Sequence, residues 1–162
     1  MATATLRQNA VGDLTEVDNQ FPASGEHWDK VDEEAADDDT TYIYSSTSTT
    51  VKHDLYNLPS APVGVGAISD VTVWARCKKS TADFPLANFT ITLKTGATHA
   101  ISSAKILSDS WGNFSYSWAT NPETGVAWTV ADINALQIGV SLKGTTTAPT
   151  QSRLTLLIRL LT

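Results

Sequence analysis

The residues of this chain that could carry out chemistry are concentrated in one acidic run, VDEEAADDDTTY, where six of the twelve residues from Val31 to Tyr42 are carboxylates. Calcium prefers carboxylates that one turn can wrap around the ion, as in an Asp-x-Asp-x-Asn-Gly loop. This run has no glycine and places its acids consecutively, so their side chains would diverge. We therefore predict no metal site. We interpret the run as a solvated junction between two structural regimes, or as a surface that matches basic groups of a partner; structural calcium remains the alternative.

No motif in the sequence gathers catalytic groups. The three histidines, His27, His53 and His99, are scattered without the spacing of metal ligands. A glycosidase needs two carboxylates about 5–9.5 Å apart, whereas the acids of the strand-rich part fall at strand ends or in loops. No Gly-x-Ser-x-Gly is present either. We therefore predict a non-enzymatic protein with no catalytic residues and no cofactor.

Five tryptophans are many for a chain of 162 residues. An exposed indole ring can stack on the C–H face of a sugar. Trp74 alternates with the apolar residues of its strand and so faces away from them. We predict Trp74 and Trp111 as the candidates for glycan stacking, and core packing or subunit contact for most of the other tryptophans.

The strand pattern begins at Thr41. Segments such as ISDVTVWARCKK and ANFTITLKT alternate apolar and polar residues with a period of two, which is typical of half-buried strands. About eight such strands and almost no helix predict an all-β fold, a two-sheet jelly-roll sandwich over residues 41–162. The single helical turn that we predict begins after Thr129, with Asp132 three residues later as in a capping box.

Residues 1–40 hold Gly, Pro, Asn and Asp at short intervals, which favours irregular structure. Isolated apolar residues are spaced along them like anchors. We predict an extended N-terminal arm that contacts a neighbouring protein through four residues: Leu6, Phe21, Trp28 and Val31.

The net charge of −6 argues against a nucleic-acid partner, because phosphate binding needs clustered Lys and Arg. No stretch is apolar for long enough to span a bilayer, so no membrane partner is predicted. The start, MATATLRQNA, lacks the apolar core of a signal peptide. We therefore expect synthesis and folding in a cytoplasm.

Three segments resemble those of a known family: HWDKVDEEAADDDTTYIYSS, ISDVTVWARCK and WATNPETGVAWTVADINALQIGVSL. The family is that of jelly-roll virion structural proteins of tailed bacteriophages, and the resemblance covers most of the chain. It implies a lectin-like sandwich and a virion component made in the host cytoplasm, and it implies no catalytic residues. The final strand, RLTLLIRLLT, departs from the aromatic and acidic ending that is usual in such proteins.

From the resemblance and the arm we expect a capsid decoration (cement) protein that stabilises the shell through subunit contacts. Its partners would be the major capsid protein and copies of itself, assembled as a homotrimer. The alternative is a carbohydrate-binding module of a head or tail fibre that attaches to a host glycan. A tail or baseplate component shares the same fold class.

Overall fold

The structure, a computed structural model, describes residues 2–45, 50–79, 88–143 and 150–160. Within these ranges the chain forms two antiparallel sheets, and the prediction of an all-β two-sheet sandwich is confirmed. The strands in chain order are β1 Ala2–Leu6, β2 Ala10–Thr15, β3 Asn19–Phe21, β4 Tyr42–Ser45, β5 Lys52–Asn57, β6 Ile68–Lys79, β7 Asn88–Thr95, β8 Thr98–Ile101, β9 Lys105–Ile106, β10 Gly112–Trp118, β11 Gln137–Lys143 and β12 Thr150–Leu160.

The two sheets have different strand orders. Sheet A has the order β10–β6–β12–β4–β3. β1 also belongs to sheet A: it pairs with the last residues of β12, whereas β4 pairs with the first residues of the same strand. Sheet B has the order β2–β5–β11–β7–β8, and β9 also pairs with β7. Strands that are far apart in sequence are therefore neighbours, as expected for a jelly roll.

The core lies between the sheets and follows the predicted alternation. On β6 the inward residues Val71, Val73 and Ala75 are buried, whereas Trp74 between them is exposed. Sheet B contributes the inward residues of its central strands β7 and β11: Phe89, Ile91, Leu93, Ile138, Val140 and Leu142. Side chains that alternate along each strand place one apolar set between the sheets and one polar set outside.

The one α-helix of the described ranges, α1 at Val130–Asn134, begins as predicted. Thr129 Oγ1 accepts a hydrogen bond from the amide of Asp132 at 3.2 Å, and the Asp132 carboxylate accepts one from the Thr129 amide at 2.8 Å. This is the reciprocal capping box that the spacing indicates. A 3₁₀ turn also covers His27–Lys30. No helix of the described ranges is long and apolar enough to cross a membrane.

The N-terminal segment contains three extended stretches, β1 to β3, and these strands belong to the sheets of the same chain. β1 pairs with β12, β2 with β5 and β3 with β4. These ladders pair backbone N–H and C=O groups that an isolated arm would leave to water. A domain boundary between residues 40 and 41 stays a prediction.

Candidate functional site

Three aromatic rings form a strip on the outer face of sheet A, the face turned away from sheet B. Ile43 points inward and is fully buried, so its neighbours Tyr42 and Tyr44 point outward. Phe21 lies opposite Tyr42, and their rings stack with centroids 5.3 Å apart and planes at 22°. Tyr44 continues the row, 5.7 Å from Tyr42. We call Phe21, Tyr42 and Tyr44 the aromatic strip.

A pocket of about 410 Å³ opens beside Tyr44, and we call it the Tyr44 pocket. Asp18, Gln20, Glu26 and His27 contribute polar side chains to its wall. The Gln20 amide nitrogen donates to the Gly25 carbonyl at 2.7 Å, whereas its buried Oε1 accepts no hydrogen bond from the described residues. Buried acceptors are normally satisfied. The pocket therefore places polar side chains next to an aromatic ring.

The back of the pocket rests on a buried carboxylate. His27 Nδ1 lies 2.6 Å from Asp54 Oδ2, and the Tyr56 hydroxyl donates to the same oxygen at 2.9 Å. The amides of Glu16 and Val17 donate to Asp54 Oδ1 at 2.8 and 2.9 Å. Burial, together with the Asp54 charge, holds the pKa of the Tyr56 hydroxyl well above its usual range. Asp54 thus ties the N-terminal segment to β5.

The acidic run contacts the chain's own cations. The Asp38 carboxylate accepts two hydrogen bonds from the Arg76 guanidinium, at 2.5 and 2.9 Å, and Asp39 pairs with Lys78 at 2.5 Å. The Asp38 hydrogen bond raises the pKa of Arg76. Two of the six acids of the run thus pair with basic residues of β6, whereas Glu34 and Asp39 remain exposed. The interpretation of the run as a solvated junction or a partner surface stays a prediction. Asp38 adopts the left-handed conformation, with φ at 51°, where it makes this bidentate contact.

The two tryptophans predicted for glycan stacking lie on the outer face of sheet A. Trp74 is 37% exposed. Trp111 is half-buried: its indole nitrogen donates to Asp39 at 3.3 Å, and the Lys78 ammonium lies 5.0 Å from its ring centroid. One face of Trp111 is therefore occupied by a cation, whereas Trp74 keeps exposed ring surface.

The four predicted contact residues of the arm have different environments. Leu6 and Val31 are buried in the chain's own core, and Trp28 packs against it. Leu6 and Val31 are thus enclosed by their own chain and not exposed for a neighbouring protein. A contact through the half-buried Trp28 stays a prediction. Phe21 is 47% exposed, so a contact through Phe21 stays a prediction.

Sequence reasoning missed a second cluster, on the outer face of sheet B. His53 on β5 and His99 on β8 are brought together with ring centroids 5.2 Å apart. Nothing in their spacing signals this, because two strands of the sheet lie between β5 and β8. Sequence spacing also gave no sign of the Asp54 network at the Tyr44 pocket.

Comparison with known proteins gives a likeness of fold. No family model matches the chain, and no curated protein matches it. A Clostridium thermocellum xylanase 10B chain with CBM22-1 and GH10 modules, solved with xylohexaose, has a TM-score of 0.50 at 8% identity, and the match covers 96% of this chain and 28% of that one. The xylan-binding module CBM15 has a TM-score of 0.48 at 13% identity and 97% and 95% coverage. The CBM22-1 xylan-binding domain of Paenibacillus barcinonensis Xyn10C has a TM-score of 0.46 at 12% identity and 82% and 81% coverage.

Proposed function

We propose that this chain is a non-catalytic binding module that holds a carbohydrate chain against the aromatic strip and the Tyr44 pocket. The observation that carries the proposal is the stacked pair of the exposed Phe21 and the half-buried Tyr42, continued by Tyr44 into a pocket with polar walls. This juxtaposition joins an apolar platform to hydrogen-bonding groups. Sequence analysis placed glycan binding as the alternative to capsid decoration, and the geometry favours that alternative.

The chemistry of a sugar ring matches both parts of this surface. A pyranose has an apolar C–H face, which stacks on an aromatic ring, and a rim of hydroxyl groups, which need donors and acceptors. The strip supplies rings, and the pocket supplies the polar side chains of Asp18, Gln20 and Glu26. A volume of about 410 Å³ is within the range of small-ligand sites. The fold is compatible with the proposal, since the xylanase chain that shares it was solved with xylohexaose.

Isothermal titration with soluble oligosaccharides tests the proposal, with xylohexaose and cellohexaose as the first probes. Phe21→Ala and Tyr44→Ala should each weaken binding about tenfold, because loss of a stacked ring costs on the order of 1 kcal/mol or more. Ile106→Ala, which removes an 80% exposed apolar side chain from sheet B, is the matched control and should change nothing. Binding that survives both ring truncations, or no binding to any glycan of a broad array, would overturn the proposal.

Trp74→Ala tests whether the binding site extends across sheet A from the aromatic strip to Trp74. Trp74 lies on β6, two strands from β4 and three from β3, so the strip is on the order of 10–14 Å away across the sheet. A long oligosaccharide that crosses the sheet should lose affinity in this variant, whereas a disaccharide should not. Equal loss for both would place the binding site around Trp74 instead of the strip.

A virion structural role, as a capsid decoration protein or a tail component, is the second proposal, and the edge of sheet A favours it. β10 pairs regularly with β6 over Gly112–Trp118 and has no charged residue, and no other described strand pairs with it. Uncharged regular edges can pair with another chain. Absolute mass from light scattering tests this: a stable trimer at micromolar concentration supports assembly, and a monomer that also fails to bind purified capsid shells contradicts it.

A further inference from the structure

A cleft of about 350 Å³ opens on the outer face of sheet B, and His53, Ile101 and Ser141 contribute to its wall. Beside it, Leu55 and Thr92 lie in register with Gly139, on the side turned away from sheet A, yet both are fully buried. Ser141, two residues further along β11, is 3% exposed. This part of the outer face is therefore shielded from solvent.

Two imidazole rings meet at this cleft. His53 and His99 have centroids 5.2 Å apart and ring planes at 71°. The Nδ1 atom of His53 lies 2.6 Å from Ser141 Oγ, and the Nε2 atom of His99 lies 2.6 Å from Thr92 Oγ1. Each ring thus has one nitrogen engaged with a hydroxyl. The other nitrogen of each ring makes no hydrogen bond to the described residues.

We propose that His53 Nε2 and His99 Nδ1 together bind one divalent transition-metal ion such as Zn²⁺ or Ni²⁺. Zinc–nitrogen bonds of about 2.0–2.1 Å at a tetrahedral angle put two imidazole centroids about 5 Å apart, which matches the observed separation. The described residues provide no third His, Cys, Asp or Glu in a ligating group. Water fills the remaining positions, and small rotations of the two rings complete the geometry.

The surroundings of the rings suit metal ligands. A ligating histidine usually holds its second nitrogen in a hydrogen bond, which fixes the ring orientation, and Ser141 and Thr92 supply those bonds.

Titration of the full-length, tag-free chain with ZnCl₂ and with NiCl₂ tests the site. The wild type should bind one ion per chain, and zinc should raise the melting temperature. His53→Gln and His99→Gln should each weaken binding at least tenfold and remove that shift. Thr92→Val, which deletes the orienting hydroxyl of His99, should weaken binding by a smaller factor.

Ile106→Ala is the control, because this 80% exposed side chain on β9 belongs neither to the histidine pair nor to the Asp54 network. It should leave zinc affinity unchanged, and circular dichroism of each variant establishes that it is folded. The proposal is overturned by no saturable binding up to about 1 mM metal, which corresponds to an affinity of only about −4 kcal/mol. Undiminished binding in both cleft variants overturns it as well, since the ion would then occupy another site.

Discussion

Replacement of Asp54 by alanine is expected to be the most damaging single change to the candidate site. The carboxylate is fully buried and accepts four hydrogen bonds, from His27, Tyr56 and the amides of Glu16 and Val17. Asp54→Ala would leave all four donors without their acceptor. The two amides belong to the N-terminal segment, so that segment would lose its tie to β5.

The expected cost follows from these contacts. A buried donor left unsatisfied costs about 1–3 kcal/mol, and removal of one partner of a buried charged pair costs about 3–5 kcal/mol. Water can reach His27, whose side chain is 16% exposed, and this lowers its share. We therefore expect the free energy of unfolding to fall by about 3–5 kcal/mol.

Urea denaturation followed by tryptophan fluorescence measures this loss. With a slope of about 1–3 kcal/mol per molar urea, the midpoint should fall by roughly 2 M. Asp13→Ala is the control, because its side chain is 50% exposed, and it should leave the midpoint close to that of the wild type. Tyr56→Phe should cost about 1–1.5 kcal/mol, as it removes one of the four donors. A loss below about 1 kcal/mol for Asp54→Ala would refute the reasoning, since four buried donors cannot then depend on this carboxylate.

Three further predictions concern other parts of the chain. Asp38→Asn should lower the free energy of unfolding by about 0.5–1 kcal/mol, because its pair with Arg76 is partly exposed. The difference in unfolding free energy between this variant and the wild type should shrink in 1 M NaCl, where the Debye length is about 3 Å. Equal differences at low and high salt would contradict the prediction. Thr129→Ala should cost about 1 kcal/mol through loss of the helix cap, and an unchanged melting temperature would show that α1 does not need the cap. The pKa of His99 is lowered from 6.5 in the folded chain. As the pH decreases, the unfolded chain therefore binds this proton before the folded chain does, and the free energy of unfolding decreases. His99→Gln should flatten this dependence in urea titrations between pH 7 and 5, and an identical profile would exclude His99 as its source.

Much of the local structure of this protein is determined by the sequence itself. Alternation along ISDVTVWARCKK determines that Val71 and Val73 face the core and that Trp74 faces outward. The Thr129–Asp132 spacing determines the start of α1. These features depend on neighbours within a few residues, so a period of two or a cap motif is sufficient to predict them.

The assembly of the candidate sites was decided by tertiary structure alone. Asp38 contacts Arg76, and His53 contacts His99, because the strand order of the two sheets determines where β6, β5 and β8 lie. The N-terminal strands likewise complete the chain's own sheets, which is why Val31 is buried instead of free for a partner. Side-chain periodicity specifies which face a residue takes but not which strand lies beside it. Strand pairing is a long-range property of the whole chain. The contact of His53 with His99 and the pair of Asp38 with Arg76 exist only once those pairings have formed.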